Sequence, residues 1–432
     1  MIRLIHRTDG AARAEMLAQM KSRSVAFDQE LLQAVSAIID DVRQRGDEAL
    51  CDYTRRFDGV DLGREQLRLD EADLRRSAAQ VDFRVVEALR EAIGNVRAFH
   101  ERQIERSWEY SPAPGVVLGQ QLIPLESVGV YVPGGTAAYP SSVVMNVVPA
   151  QIAGVDRIVV VTPPRTITEN PVVAAALMEL NVTEVYATGG AQAVAALAFG
   201  TESIPRVDKI TGPGNKYVAA AKKLVFGVTG IDSIAGPTEV VIVADEIAEP
   251  RLVAADLLAQ AEHGADASAI LITTSEKLAR EVAAEVARQL EQQPRREIIR
   301  ESLSAYGFIL ILDDWPQACM LVNQLAPEHL HVIVADEQSI AARIKHAGAI
   351  FFGSYTPEVV GDYWAGPNHV LPTGGAARFS SALGVYDFVK RTSVIRYSEA
   401  QLQRVIAKIA TLAESEGLFA HASAAKIRLS HD

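Results

Sequence analysis

The pattern that decides the fold lies in residues 128–217: VGVYVPGG (128–135), RIVVV (157–161), TEVYATGG (183–190) and RVDKITGPGNKY (206–217). Each segment opens on a short β-branched run. The starts of these runs lie about 25 residues apart, with Ala-rich helical runs between them. That is the length of one strand–loop–helix unit. Near-continuous apolar strands alternating with helices predict a parallel sheet covered on both faces. A second series follows: VVIVAD (240–245), SAILIT (268–273), GFILIL (307–312), HVIVA (331–335) and AIFF (349–352), with helical runs between the first four. The expected fold class is therefore α/β, with two doubly wound (Rossmann-like) parallel-sheet domains. No sequence repeat relates the two series, so the duplication is architectural at most.

On either side of these series the chain reads as helix. Ser24 or Asp28 can cap a helix through LLQAVSAIIDDVRQRG that stops at Gly46, and Val86, Leu89, Ile93, Val96 and Phe99 fall at helical spacing between Phe83 and Trp108. Residues 353–380 are rich in Gly, Pro, Ser and Thr without periodicity, as functional loops are. From about Glu399 the chain is helical again. The expected organisation is an N-terminal helical arm (1–25), a first α/β domain from 26–125 with 238–380, a second from 126–237, and a C-terminal helical arm (381–432).

The length of 432 residues predicts two to four domains at roughly 100–200 residues each. A formal charge of −12 argues against nucleic acid or an anionic membrane surface as the main partner, because both reward net positive charge. The two cysteines, Cys51 and Cys319, cannot build a disulfide framework or a CxxC zinc ribbon. The N-terminus has no apolar h-region. The longest apolar stretch, Val143–Val161, is interrupted by Asn146, Gln151, Asp156 and Arg157, so no membrane span is expected. The expectation is a soluble cytoplasmic protein.

The glycine segments at 130–135, 187–201 and 211–217 each follow a strand of the first series. A Gly turn leading into a helix offers backbone N–H groups to a phosphate, but an unliganded βα turn reads the same way. No GxGxxG occurs, and TGPGNKY lacks the GK[ST] of a P-loop. In LAQAEHGAD (258–266), Gln260 and His263 share a helical face. In LAPEHLHVIV (325–334), Pro327 stiffens a turn that puts the adjacent Glu328 and His329 just before a strand. A carboxylate beside an imidazole suits proton transfer, although a solvated surface pair is equally compatible. His331 reads as a structural residue within that strand. GDYWAGPNHVLPTGG (361–375) gathers Asp362, Asn368 and His369. Glu416 and His421 lie five apart, which is about 140° on one helix, so a break between them is expected, and Gly417 permits one.

Taken together these segments resemble the histidinol dehydrogenase family. AGPTEVVIVAD (235–245) followed by LLAQAEHG, then PEHL, GDYWAGPNHVLPTGGAARFSSALGVYDFVKRTS (361–393) and ESEGLFAH (414–421), match its motifs in the family's order across nearly the whole chain. The resemblance implies oxidation of L-histidinol to L-histidine, the last step of histidine biosynthesis, in two NAD-dependent steps through an aldehyde level. It implies one zinc per subunit on Gln260, His263, Asp362 and His421, holding the substrate's nitrogen groups. Glu328 would activate water and His329 would act as general base. Tyr131, Gln192 and Asn215 match positions that contact NAD. Thr238, Gln260, His263, His329, Asp362, Glu416 and His421 match positions that contact substrate, with Thr238 standing where the family has Ser or Thr. The family forms a homodimer with exchanged C-terminal arms, which would carry Glu416 and His421 to the neighbouring subunit. By the same resemblance the zinc and catalytic loops belong to the first α/β domain and the NAD-binding loops to the second.

Three other readings are open at this point. A related zinc and NAD enzyme acting on a sulfonated diol would keep the metal and the water-activating groups. An aldehyde oxidation through a cysteine thiohemiacetal would need Cys51 or Cys319, and neither lies in a matched motif. A non-catalytic protein that inherited the fold would lack site residues, and none of the matched positions departs from the family's pattern.

Overall fold

The computed structural model describes residues 2–23, 27–134 and 139–429. Ser24 and Gly135 lie outside them. In chain order the strands among the described residues are β1 (Arg3–Ile5), β2 (Trp108–Ala113), β3 (Val116–Pro124), β4 (Ser127–Tyr131), β5 (Arg157–Thr162), β6 (Val185–Ala187), β7 (Lys209–Thr211), β8 (Gly230–Ile231), β9 (Glu239–Ala244), β10 (Ser268–Thr273), β11 (Gly307–Ile311), β12 (His329–Ile333), β13 (Ala349–Phe352) and β14 (Val389–Tyr397). They form a five-stranded parallel sheet of order β6-β5-β4-β7-β8 and a six-stranded parallel sheet of order β1-β11-β10-β9-β12-β13. These are the two doubly wound units expected from the strand series. Every residue of β9, β10, β11 and β12 is buried, which is why the strands read as continuous apolar runs rather than alternating ones.

Helix Gln29–Arg45 shows how local signals set the elements. Asp28 Oδ1 accepts from the Leu31 amide at 2.6 Å, and Gly46 closes the helix. Leu31, Val35, Ile38, Ile39 and Val42 form its buried stripe. They pack with Ala193, Val194 and Leu197 of helix Gly190–Phe199, and each such side chain contributes about 1.5–3 kcal/mol of burial.

The helices between Gln29 and His100 pack mainly on the five-stranded sheet, although Asn95 also donates to the Trp364 carbonyl of the 238–380 segment expected to group with them. Leu31 through Leu67 share a core with Tyr131, Val159 and Val161, while Leu74, Ile93 and Val96 share one with Val128, Val130 and Val160, so these helices cover the five-stranded sheet. The expected N-terminal arm is helical over Gly10–Ser22, but β1 precedes that helix and forms the edge of the six-stranded sheet, where Ile5, Met16 and Met20 join its core. The C-terminal arm opens on a strand before its helices Glu399–Ser415 and Phe419–Lys426.

That strand, β14, pairs antiparallel with β3, which pairs antiparallel with β2, in a third sheet that went unread in the sequence. β2 is almost wholly exposed, and no residue of β14 is buried. With no buried face there is no apolar alternation to detect. No helix among the described residues is long and apolar enough to cross a membrane.

Candidate active site

The five-stranded sheet uses the carboxyl ends of its strands. Tyr131 ends β4, Pro163 and Pro164 follow β5, Gly190 and Gln192 follow β6, and Asn215 follows β7. All of these residues line one cavity of about 560 Å³. The Tyr131 hydroxyl accepts from the Gly190 amide at 3.0 Å, and burial pushes it up to about 12. Asn215 caps helix Lys216–Val225, its Oδ1 accepting from the Tyr217 and Val218 amides at 3.0 and 3.2 Å. Gln192 is buried, and its Oε1 has no partner.

Between β7 and the cavities the wall is locked by an ion pair. Lys222 and Asp232 are in direct contact, with side chains 3% and 4% exposed. Lys222 Nζ donates to Gly212 O at 3.0 Å. Asp232 accepts from the Gly212 and Ser233 amides at 2.8 and 2.6 Å. Gly212 has φ +107°, and a Cβ there would lie 2.2 Å from the Tyr131 carbonyl oxygen, so no other residue fits.

The six-stranded sheet uses its opposite, amino edge. Glu328 precedes β12, His329 begins it, Thr238 precedes β9 and Glu239 begins it, with His329 in register with Val240. Helix Pro250–Ala261 follows β9 and runs back, bringing Gln260 and then His263 to that edge, and Glu358–Tyr363 does the same for Asp362 after β13. The turn into β12 passes through Ala326 in the left-handed region, φ +49°, ahead of Pro327.

Here the side chains converge. Glu328 Oε2 accepts from Thr238 Oγ1 at 2.5 Å and from the Glu239 amide at 3.0 Å. Burial pushes the Glu328 carboxyl up to about 7 against those two donors, within reach of a base working near neutral pH. His329 Nδ1 faces acceptors: Glu239 O at 3.3 Å, Glu358 Oε1 at 3.5 Å and Glu328 Oε2 at 3.7 Å. Those neighbours assign the proton to Nδ1 and leave Nε2, which has no partner, as the basic nitrogen. Burial holds the ring down at about 4. Donor atoms of His263, Glu358 and Asp362 all lie within 4.8 Å of one another, an arrangement that can hold a metal ion. Thr238, His263, Glu328, His329, Asp362 and His369 line a cavity of about 200 Å³.

Of the expected site residues, Tyr131, Gln192 and Asn215 therefore meet at one cavity, and Thr238, His263, Glu328, His329 and Asp362 meet at the other, with Gln260 buried against Thr238 behind it. Glu416 and His421 do not join either within one chain. Glu416 ends helix Glu399–Ser415, Gly417 breaks the path at φ +73°, and His421 follows on helix Phe419–Lys426, both side chains exposed. His331 is structural as expected, its Nε2 at 2.8 Å from Gly353 O and its Nδ1 at 3.2 Å from Asp256. Cys51 and Cys319 are buried, free and outside both cavities, and burial raises both thiols, which is the wrong direction for a nucleophile.

Sequence reasoning missed Glu358. With its nitrogen toward Glu358, the Gln260 amide donates at 2.7 and 3.0 Å, and its oxygen accepts from the Glu239 amide at 3.0 Å. Glu358 thus touches both Gln260 and His329, and burial holds its carboxyl well above the usual range. The available signal was its i,i+4 spacing from Asp362, one turn of helix inside a segment that reads as loop. Arg23 and Glu239 were missed too. Arg23 is nearly buried, 3.7 Å from Glu239, and donates to the Thr238 carbonyl at 3.3 Å behind the site.

Comparison with known proteins gives one consistent result. The family model described as histidinol dehydrogenase matches residues 21–429. The histidinol dehydrogenase of Geobacillus kaustophilus is 55% identical over 402 residues, covering 93% of this chain and 94% of that protein. That of Carboxydothermus hydrogenoformans is 49% identical over 418 residues, covering 97% and 98%. The crystal structure of histidinol dehydrogenase from Elizabethkingia anophelis superposes with a TM-score of 0.92 at 34% identity, covering 99% of this chain and 98% of that one. The match spans both sheets, both cavities and the C-terminal arm, and the chain belongs to the histidinol dehydrogenase family.

Proposed function

We propose that this chain oxidises L-histidinol to L-histidine, the last step of histidine biosynthesis, in two successive NAD-linked steps through the aldehyde. The observation that carries the reading is the Glu328–His329 pair. The two have adjacent backbone positions but separate partners, one a carboxylate held by Thr238 and the Glu239 amide, the other a neutral ring with a free Nε2. Alcohol oxidation needs a proton removed from the hydroxyl as hydride leaves the carbon, and His329 Nε2 takes it. Aldehyde oxidation first needs a hydrate, because only the hydrate presents a C–H beside a second hydroxyl. Glu328 takes a proton from water as the oxygen adds to the carbonyl carbon, His329 returns its proton to the carbonyl oxygen, and the neutral His329 then takes a hydroxyl proton of the hydrate as the second hydride leaves. Two bases on one turn can address one carbon without moving the substrate.

NAD accepts the hydride in each step, and Tyr131, Gln192 and Asn215 are the residues we assign to holding it. The unpartnered Gln192 oxygen inside a 560 Å³ cavity fits a ligand with hydrogen-bond donors. For the metal we assign Gln260, His263, Asp362 and His421 of the partner subunit, and the imidazole and carboxylate donors grouped within 4.8 Å fit zinc. Zinc bound there supplies an anchor that orients the substrate's nitrogen groups. A homodimer with exchanged arms explains why Glu416 and His421 stand away from the site in one chain. It also gives a use to Leu412, Phe419 and Ile427, which are 66, 66 and 69% exposed on that arm.

The His263→Asn substitution is expected to remove metal and activity together. Metal analysis of the purified variant checks this, and stoichiometric zinc in an inactive protein refutes the ligand role. Glu358→Gln is expected to lower metal affinity or turnover by about 10–100-fold, since groups that orient ligands typically carry that much. Competition with a chromophoric chelator, run beside the turnover assay, reads it, and no change in either removes Glu358 from the site. The direct test of the function is the ratio of NADH released to histidinol consumed, which this reading sets at two. No turnover of histidinol, with turnover of a sulfonated diol instead, overturns it.

A further inference from the structure

The 560 Å³ cavity contains an acidic group that the mechanism does not use. Asp58 is the last residue of helix Asp47–Asp58, which covers the five-stranded sheet from outside it, and its carboxylate lines the cavity. Its Oδ2 is sealed from solvent with no hydrogen-bond partner. Burial raises the carboxyl, and the neighbouring Arg165 guanidinium opposes the shift. A half-buried carboxylate with an unsatisfied oxygen is costly unless a ligand brings hydroxyl donors to it.

The cavity adjoins the catalytic one: Asn215 lies two residues beyond Pro213, and Gly212 and Pro213 line the smaller cavity. A dinucleotide must put its nicotinamide at that side. Phe57, Asp58 and Ile38 come from the outer helices and line the 560 Å³ cavity together with Arg165, and none of the four lines the catalytic cavity. The adenosine half is left for that region.

Resting on the reading of this cavity as the NAD site, we propose that Asp58 is the residue that selects NAD over NADP, its carboxylate accepting a hydrogen bond from the adenosine ribose 2′-hydroxyl. A carboxylate only accepts, so it matches a ribose diol, and it repels a 2′-phosphate dianion in a partly buried site. The standard dinucleotide fold places an acidic residue about 20 residues beyond its glycine fingerprint for the same task. This chain has no such fingerprint, and the acid arrives from a helix outside the sheet. Arg165 stands where it can favour the 2′-phosphate once Asp58 is gone.

The test uses the full-length enzyme with saturating histidinol and three cofactors: NAD, NADP and the NAD analogue lacking the adenosine 2′-hydroxyl. The wild-type enzyme should lose about 10–100-fold in kcat/KM on removal of that hydroxyl, the range for one hydrogen bond to a charged group. The loss should fall in KM, with kcat retained. Asp58→Asn should raise the KM for NAD by about tenfold, erase the penalty of the deoxy analogue and raise the NADP-to-NAD ratio. A wild-type enzyme indifferent to the 2′-hydroxyl overturns the proposal without any mutant, so a variant that fails to fold leaves the test intact. A folded Asp58→Asn enzyme with an unchanged cofactor ratio overturns it as well. If the wild-type enzyme oxidises histidinol with neither NAD nor NADP, the cofactor reading falls, which is a distinct result.

Discussion

Glu328→Gln is expected to cut conversion of histidinol to histidine by about 10²–10⁴-fold while bound metal stays stoichiometric. The side chain is sealed in, and its Oε2 has two donors, Thr238 Oγ1 at 2.5 Å and the Glu239 amide at 3.0 Å. Glutamine keeps the shape and can keep the oxygen toward those donors, so the backbone geometry survives. It cannot take a proton from water. The loss should therefore fall on the step that needs the hydrate, and histidinal supplied directly should be oxidised more slowly by a larger factor than histidinol is converted to histidinal. Single-turnover release of NADH separates the halves: the first equivalent appears and the second stalls. Equal losses in both halves accompanied by loss of metal would mean that Glu328 holds the site together rather than serving as its base.

Lys222→Met is expected to destabilise the chain by about 3–5 kcal/mol, because it leaves the Asp232 charge buried and unpaired. Asp232 is 4% exposed and cannot turn to solvent without giving up the Gly212 and Ser233 amides. Because those amides hold the loop that leads to Asn215, NAD affinity should fall with stability. Chemical denaturation measures the first and NAD titration the second. The double variant Lys222→Met/Asp232→Asn should recover part of the loss, since a neutral amide still accepts from both backbone donors without a buried charge. A single variant with the denaturation midpoint of the wild type would show that the pair is more open to water than its burial indicates.

The two parallel sheets were legible because their central strands, such as β9, β10, β11 and β12, are buried throughout and their apolar runs are uninterrupted. The third sheet was not, since β14 and β3 lie far apart in the chain and β2 and β14 bury almost nothing. The helices between Gln29 and His100 were legible as helices, but their allegiance was not. An amphipathic stripe says that a face is covered and not by which sheet, and only the shared core with Tyr131 and Val130 assigns them. In the site, Glu328–His329 and Gln260/His263 could be noticed from spacing, yet spacing alone left a surface pair as an equal reading. Glu358 escaped because a six-residue helix among glycines and prolines has too few turns to establish a period. Asp58 escaped because its use depends on a cavity made by residues more than 70 positions away, such as Tyr131.

The opposite orientation of the two sheets at the site has an electrostatic consequence. Helices Gly190–Phe199 and Lys216–Val225 begin at the larger cavity, so their positive dipole ends face it, as a pyrophosphate requires. Helix Pro250–Ala261 ends two residues before His263 of the smaller cavity, so its negative end faces it. Opposite backbone fields thus meet across the site, one suited to the anionic cofactor and the other to a metal cation and an ammonium-bearing substrate. With the ligands placed as proposed, the backbone polarity would sort them by charge before any side chain reads their shape.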